Sequence, residues 1–265
     1  MRIERNRFIG LISGILPFFA AMLLQYSLMV LLEIGFRGTY GLHGQDTIPS
    51  YTLGVIAVFL CGLFFFFFYR DTVRYHKLTI PRQVFRVKSI LLLICLGVAV
   101  QFAISGMMSL LQSLLHQLFR DYQEVIDSIL GHNPLVVFLY VIIIAPITEE
   151  LIFRGVMLAK LKEAIPFYGA NLIQAATFGI YHWNIIQGIY AFGIGLLFGY
   201  ITRRFRSLTA SVILHMAVNG AAFLVVLLPK NGLLLLLSTL GGVLALVVIL
   251  YGILRRTEKS SDNVS

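Results

Sequence analysis

The sequence predicts an all-α, polytopic membrane protein: a helical bundle of about eight transmembrane helices with one amphipathic helix at the interface. Three observations carry that reading. Of the 265 residues, 58% are hydrophobic and 12% are charged, with a mean hydropathy of +0.88, a balance foreign to soluble domains. Apolar runs near the ~20 residues that cross a bilayer recur along the whole chain. The basic residues collect in short segments on one side of those runs.

In order, Arg2, Arg5 and Arg7 precede a first span over Phe8–Leu32, too long and too poor in small residues at its end for a cleaved signal peptide. Gly35–Ser50 is a polar loop. The second span covers Tyr51–Tyr69, and its phenylalanine run Phe64–Phe68 reads as a lipid-facing or packing surface. A basic loop carries Arg70, Arg74, Lys77, Arg82, Arg86 and Lys88, and the third span covers Ser89–Leu111. Over Ser113–Leu130, Leu115, Leu118, Phe119, Tyr122, Val125, Ile126 and Ile129 recur at helical spacing between Arg120, Asp121, Glu124 and Asp127, which marks the amphipathic helix. The fourth span begins at Pro134 and runs to about Lys162, with Pro146 expected to bend it. The fifth to eighth spans cover Phe167–Trp183, Ile185–Thr202, Leu208–Leu228 and Leu233–Leu254. Gly195 and Gly199 form a small-xxx-small pattern in the sixth, the mark of close helix packing.

With eight spans and the N-terminus inside, only Arg37, Arg120 and Lys230 of the 21 Lys and Arg fall on outer segments, and Arg154 lies within a span. This asymmetry puts both termini in the cytoplasm. The formal charge of +9 therefore reports orientation rather than a nucleic-acid partner. Cys61 and Cys95 lie in apolar runs and read as small buried hydrophobes. Residues 1–265 are expected to form a single integral membrane domain, with a motif-bearing core over 134–228 and a short cytoplasmic tail over 255–265. Its compact loops fit a bacterial plasma membrane.

The stretch Thr148-Glu149-Glu150-Leu151-Ile152-Phe153-Arg154 places two adjacent carboxylates in lipid-embedded helix. Each costs about 2.5–3.5 kcal/mol on insertion scales. Arg154 stands at i,i+4 from Glu150, where the side chains meet, whereas Glu149 points about 100° away around the helix. A structural Glu–Arg pair explains Glu150 and Arg154 but leaves Glu149 unexplained. Two later spans carry histidine: Phe178 and His182 in the fifth, His215 and Asn219 one turn apart in the seventh. At 1.5 Å per residue, Glu149 lies about 16 Å from Lys160, His215 about 13 Å from Arg206 and His182 about 21 Å from Tyr168. In a hydrocarbon core about 30 Å thick, all three can meet near the midplane. Such a cluster suits water activation: a buried Glu as general base, with His and Asn holding water or donating to an oxyanion. The alternative is a zinc site with His182, His215 and a glutamate as ligands. Spending Asn219, a poor metal ligand, on the third polar position favours the metal-free site.

The series Glu-Glu-x-x-x-Arg (Glu149, Glu150, Arg154), Phe-x-x-x-His (Phe178, His182) and His-x-x-x-Asn (His215, Asn219), in order on successive apolar helices, resembles the CAAX protease and bacteriocin-processing (CPBP, Abi) family of intramembrane endopeptidases, which includes the type II CAAX prenyl endopeptidases. The resemblance covers about Pro134–Leu228. It implies an eight-helix bundle with a cavity open to the cytoplasm. It also implies that Glu149 activates water, that Glu150 and Arg154 support it, and that His182, His215 and Asn219 complete the site. The implied substrate is a membrane-associated or lipidated peptide or protein; in a bacterium, a peptide pheromone, a bacteriocin precursor or a small membrane protein suits better than a prenylated one. A competing reading is a non-catalytic immunity protein or scaffold of the same fold, bound to a membrane-protein partner. A proton-coupled transporter ranks below it, since no inverted repeat is evident.

Overall fold

The computed structural model describes residues 2–40, 49–75, 82–226 and 231–261. Lys77, Lys230, residues 41–48 of the Gly35–Ser50 loop and the last residues of the tail lie outside them. Among the described residues the chain is helical throughout, as nine helices: α1 (Arg2–Tyr40), α2 (Ser50–Tyr75), α3 (Val87–Gln112), α4 (His116–Leu130), α5 (Pro134–Ala164), α6 (Phe167–Tyr181), α7 (Ile185–Phe205), α8 (Leu208–Val226) and α9 (Gly232–Ser261). A single 3₁₀ turn, Arg82–Phe85, precedes α3. Seven of the nine are long and apolar enough to cross a membrane, and the protein is an integral membrane protein.

The exceptions are α4 and α6. Helix α4 is amphipathic: Phe119 is buried and Tyr122, Ile126 and Ile129 half-buried, while Asp121, Glu124 and Asp127 are exposed. It starts three residues later than the sequence pattern, after a turn over Ser113–Leu115. Helix α6, the fifth span of the sequence reading, has 15 residues, about 22 Å of helix against the ~30 Å of the hydrocarbon core. It stops because Trp183 takes the left-handed region at φ 53° and Asn184 is extended. The Asn184 side chain then caps α7, its Oδ1 accepting from Gln187 N at 3.0 Å.

The described residues fall into two compact units. The first comprises residues 1–81 and 120–212, and the second residues 82–119 and 213–265. In the first, α5 packs against α1 and α2. Thr148 Oγ1 donates to Val58 O at 3.3 Å, joining α5 to α2, and Phe18 of α1 lies 6.5 Å from Phe153. Helices α6 and α7 form an antiparallel pair, with Gly179 against Gly188 and Ala175 against Gly195. In the second unit α3 and α9 lie side by side, and Gly97 of α3 sits against the backbone of α8 at Ala217 and Val218. Leu240, Val243, Leu244, Val247 and Val248 of α9 are exposed, as expected of a face turned to lipid tails.

Helix α5 carries the sequence's central motif. Asn133 opens it, Oδ1 accepting from Leu135 N at 3.0 Å and Val136 N at 3.4 Å, with Pro134 at the first position. It ends at Ile165, held extended before Pro166. Between these ends lie two π-helical segments, Tyr140–Ile144 and Leu151–Met157, flanking an α-helical turn over Ala145–Glu150. The first accounts for Pro146. A proline ring clashes with the carbonyl four residues back and has no N–H to give, and the wider π turn just before it accommodates both deficits.

Candidate active site

Glu149 and Glu150 close the α-helical turn between the two π segments, and both are buried. Arg154 Nη1 lies 2.9 Å from Glu150 Oε1, and both side chains are wholly enclosed. The i,i+4 spacing read from the sequence thus makes a buried ion pair. Arg154 Nη2 donates to Gly195 O of α7 at 3.1 Å. Its guanidinium lies over three rings, 4.3 Å from the centroid of Phe178, 5.1 Å from Phe198 and 5.9 Å from Phe153. Enclosing a charged pair in lipid is costly; one carbonyl and three aromatic faces offset part of that cost, while Arg154 Nε has no hydrogen-bond partner among the described residues.

Glu149 projects elsewhere on the helix. Tyr140, Tyr181 and Tyr190 lie within electrostatic reach of it, together with Glu150 and Arg154. Each tyrosine is fixed by a neighbour. Tyr181 Oη donates to Gln25 Oε1 of α1 at 2.7 Å. Tyr190 Oη and Tyr122 Oη stand 3.4 Å apart with their rings edge to face at 6.2 Å, which ties α4 to α7. The Tyr140 ring meets Tyr51 edge to face at 5.9 Å, and Tyr51 stacks on His132 at 4.1 Å.

His182 caps the C-terminus of α6 and is half-buried. Its ring is edge-on to Phe178 at 5.0 Å and to Tyr181 at 5.9 Å. With the amide nitrogen of Gln187 donating to Nδ1 at 3.1 Å, the neutral ring carries its proton on Nε2. Glu149, Glu150, Arg154, Phe178 and His182 all belong to the first unit, and Phe178 touches both Arg154 and His182. His215 and Asn219 belong to the second unit, one turn apart on α8, His215 buried and Asn219 half-buried. Among the described residues no three His, Cys, Asp or Glu side chains come together as a metal-ligand set.

The structure adds groups that the motifs do not contain. Gln174 and Asn171 are buried amides on α6 that bond to carbonyls of α7. Tyr140, Tyr181 and Tyr190 lie within electrostatic reach of Glu149. Their sequence signal is an amide or a hydroxyl inside an apolar run, weaker than a charge in the same place.

Residues 131–221 match the family model described as "Type II CAAX prenyl endopeptidase Rce1-like". That segment contains Glu149, Glu150, Arg154, His182, His215 and Asn219. Over 87 residues the chain is 29% identical to "Putative membrane peptidase YdiL" of Bacillus subtilis (strain 168). The match covers 33% of this chain and 36% of that protein, so the chain spans about a third of the length of the curated relative it matches. No solved structure matches. Over about a third of its length the chain is thus similar to the type II CAAX prenyl endopeptidase family model and to a putative membrane peptidase.

Proposed function

We propose that this protein is an intramembrane endopeptidase that cleaves a peptide bond of a membrane-associated or lipidated peptide or protein. One observation carries the reading: two adjacent carboxylates are buried in one span, and the ion pair at 2.9 Å between Glu150 and Arg154 accounts for only one of them. A structural ion pair needs one carboxylate. The second is retained in a place where charge is costly, which fits a general base.

In the proposed reaction Glu149 takes a proton from a water molecule as that water's oxygen attacks the scissile carbonyl carbon. The carbonyl oxygen becomes an oxyanion that accepts a hydrogen bond from His182 Nε2–H, and the motif resemblance gives His215 and Asn219 the same role. Collapse of the tetrahedral intermediate breaks the C–N bond, and the proton held by Glu149 passes to the departing amine. Arg154 holds Glu150 so that the backbone turn presenting Glu149 stays fixed. Both termini are assigned to the cytoplasm on the Lys and Arg asymmetry.

The test is quantitative proteomics of membrane fractions from cells carrying wild type or Glu149→Gln, followed by cleavage of the enriched substrate by purified protein. A peptide that accumulates in the mutant and is cut only by wild type supports the assignment. A substrate cut equally well by Glu149→Gln removes Glu149 as base, and a chain with no substrate in either assay favours the immunity or scaffold reading.

A further inference from the structure

The α6–α7 pair holds a second polar cluster. Gln174 is wholly buried, and its Nε2 donates to Asn171 Oδ1 at 2.7 Å and to Gly195 O at 3.0 Å. Asn171 Nδ2 donates to Leu196 O at 3.0 Å. Gly195 O is the carbonyl that also receives Arg154 Nη2 at 3.1 Å. One backbone oxygen therefore joins the ion pair of α5 to an amide of α6. That oxygen lies inside α7, so the two side-chain donors share it with the helix's own backbone ladder.

The glycines of the small-xxx-small pattern explain how α7 admits these groups. A Cβ on Gly195 would stand 3.2 Å from Arg154 Nη2 and 3.2 Å from the Ala175 Cβ. A Cβ on Gly199 would overlap the Asn171 amide oxygen. Each missing side chain leaves room for a polar group of another helix, so the pattern here seats hydrogen bonds as well as backbone. Two complementary atoms in this cluster, Arg154 Nε and Gln174 Oε1, are buried without a hydrogen-bond partner among the described residues. The guanidinium therefore relies on Glu150, on Gly195 O and on the three rings for its position.

We propose that Gln174 is a positioning residue for the carboxylate pair: by fixing Gly195 O it fixes Arg154, and through Arg154 it fixes Glu150 and the turn that presents Glu149. The wiring runs Asn171–Gln174–Gly195 O–Arg154–Glu150. The proposal rests on the endopeptidase reading for its effect on turnover, while the wiring itself is independent of that reading. Gln174 touches no substrate in this scheme. Its effect on rate comes from the misplacement of a general base, where a shift of order 1 Å costs about 100-fold.

The experiment is a pair of cycles on the full chain in detergent: wild type, Gln174→Leu, Arg154→Lys and the double variant, each read by thermal unfolding and by kcat and KM on a substrate found by the membrane proteomics. The expected result is a 10- to 100-fold fall in kcat for Gln174→Leu with KM within about twofold, the larger figure being that for a misplacement of order 1 Å. In the Arg154→Lys background Gln174→Leu is expected to add less than about threefold, and the melting-temperature losses to be less than additive, as for residues in one network. Gly195→Ala replaces Arg154→Lys as the second arm if the latter does not fold, since its Cβ presses on the same guanidinium. Additive losses in melting temperature overturn the wiring whether or not a substrate exists. Non-additive losses with an unchanged kcat keep the wiring and overturn the positioning role. If wild type cuts nothing, the protease reading fails on its own and the thermal cycle still decides whether Gln174 and Arg154 act through one carbonyl.

Discussion

Replacing Arg154 by Met should be among the most damaging single changes on α5, through stability before chemistry. The substitution keeps an unbranched side chain of similar reach but removes the charge. It deletes the 2.9 Å bond to Glu150, the 3.1 Å bond to Gly195 O and the stacking on Phe178 at 4.3 Å, and it leaves the Glu150 carboxylate enclosed without its cation. Breaking one partner of a buried pair costs about 3–5 kcal/mol. Against a total stability of about 5–15 kcal/mol for a folded domain this is a large fraction. At about 2 °C per kcal/mol for a chain of this size, the melting temperature should fall by roughly 6–10 °C. The companion variant is Glu150→Leu combined with Arg154→Met. Apolar groups of similar volume can replace a buried pair at little or no cost, so the double variant should recover most of the loss. The assay is thermal unfolding of purified protein in detergent, with membrane abundance measured alongside. A fall under about 2 °C for Arg154→Met, or a double variant that loses the sum of the two single losses, would refute the claim that the pair is enclosed and mutually dependent.

Glu149→Gln should lower proteolysis by at least about 100-fold, within the range that general-base catalysis supplies, while abundance and melting temperature stay at or above wild type because a like-charge neighbour of Glu150 is removed; comparable turnover by the two proteins would discard the base. Tyr181→Phe removes the 2.7 Å bond to Gln25 and strands that amide oxygen, at about 1–3 kcal/mol, read as a fall of roughly 2–6 °C in melting temperature. Elemental analysis of active protein with chelator titration is expected to find no tightly held ion; near-stoichiometric zinc, lost and regained together with activity, would make His182 and His215 ligands. Tags at Arg204 should report a cytoplasmic position and tags at Gln45 an external one, and an external Arg204 would undo the charge-based orientation.

The features legible in the sequence and those hidden in it divide along an energetic line. An ionised group in lipid costs about 2.5–3.5 kcal/mol, so Glu149, Glu150 and Arg154 stand out from their apolar run and the i,i+4 rule pairs the right two. An interhelical amide bond within a membrane is worth only about 0.6 kcal/mol on average, so Asn171 and Gln174 pass as tolerated polar residues in α6. The spacing of Gly195 and Gly199 marks them as sites of close approach, but a spacing cannot say whether backbone or an arginine fills the notch. The end of α6 is legible to within two residues, since the span read as Phe167–Trp183 is a helix over Phe167–Tyr181, although Trp183 closes it at φ 53°, a conformation that propensity assigns to glycine or asparagine. The π turns of α5 are half legible: Pro146 announces a fault in the helix, and the structure resolves it as a widened turn over Tyr140–Ile144. That widening matters for the site. Each π turn adds a residue to the helix and rotates the residues downstream of it, so the face on which Tyr140 stands relative to Glu149 cannot be obtained by counting at 3.6 per turn. A residue's partners along α5 must be counted from the nearest π segment, which is why the position of Tyr140 relative to Glu149 emerges only with the fold.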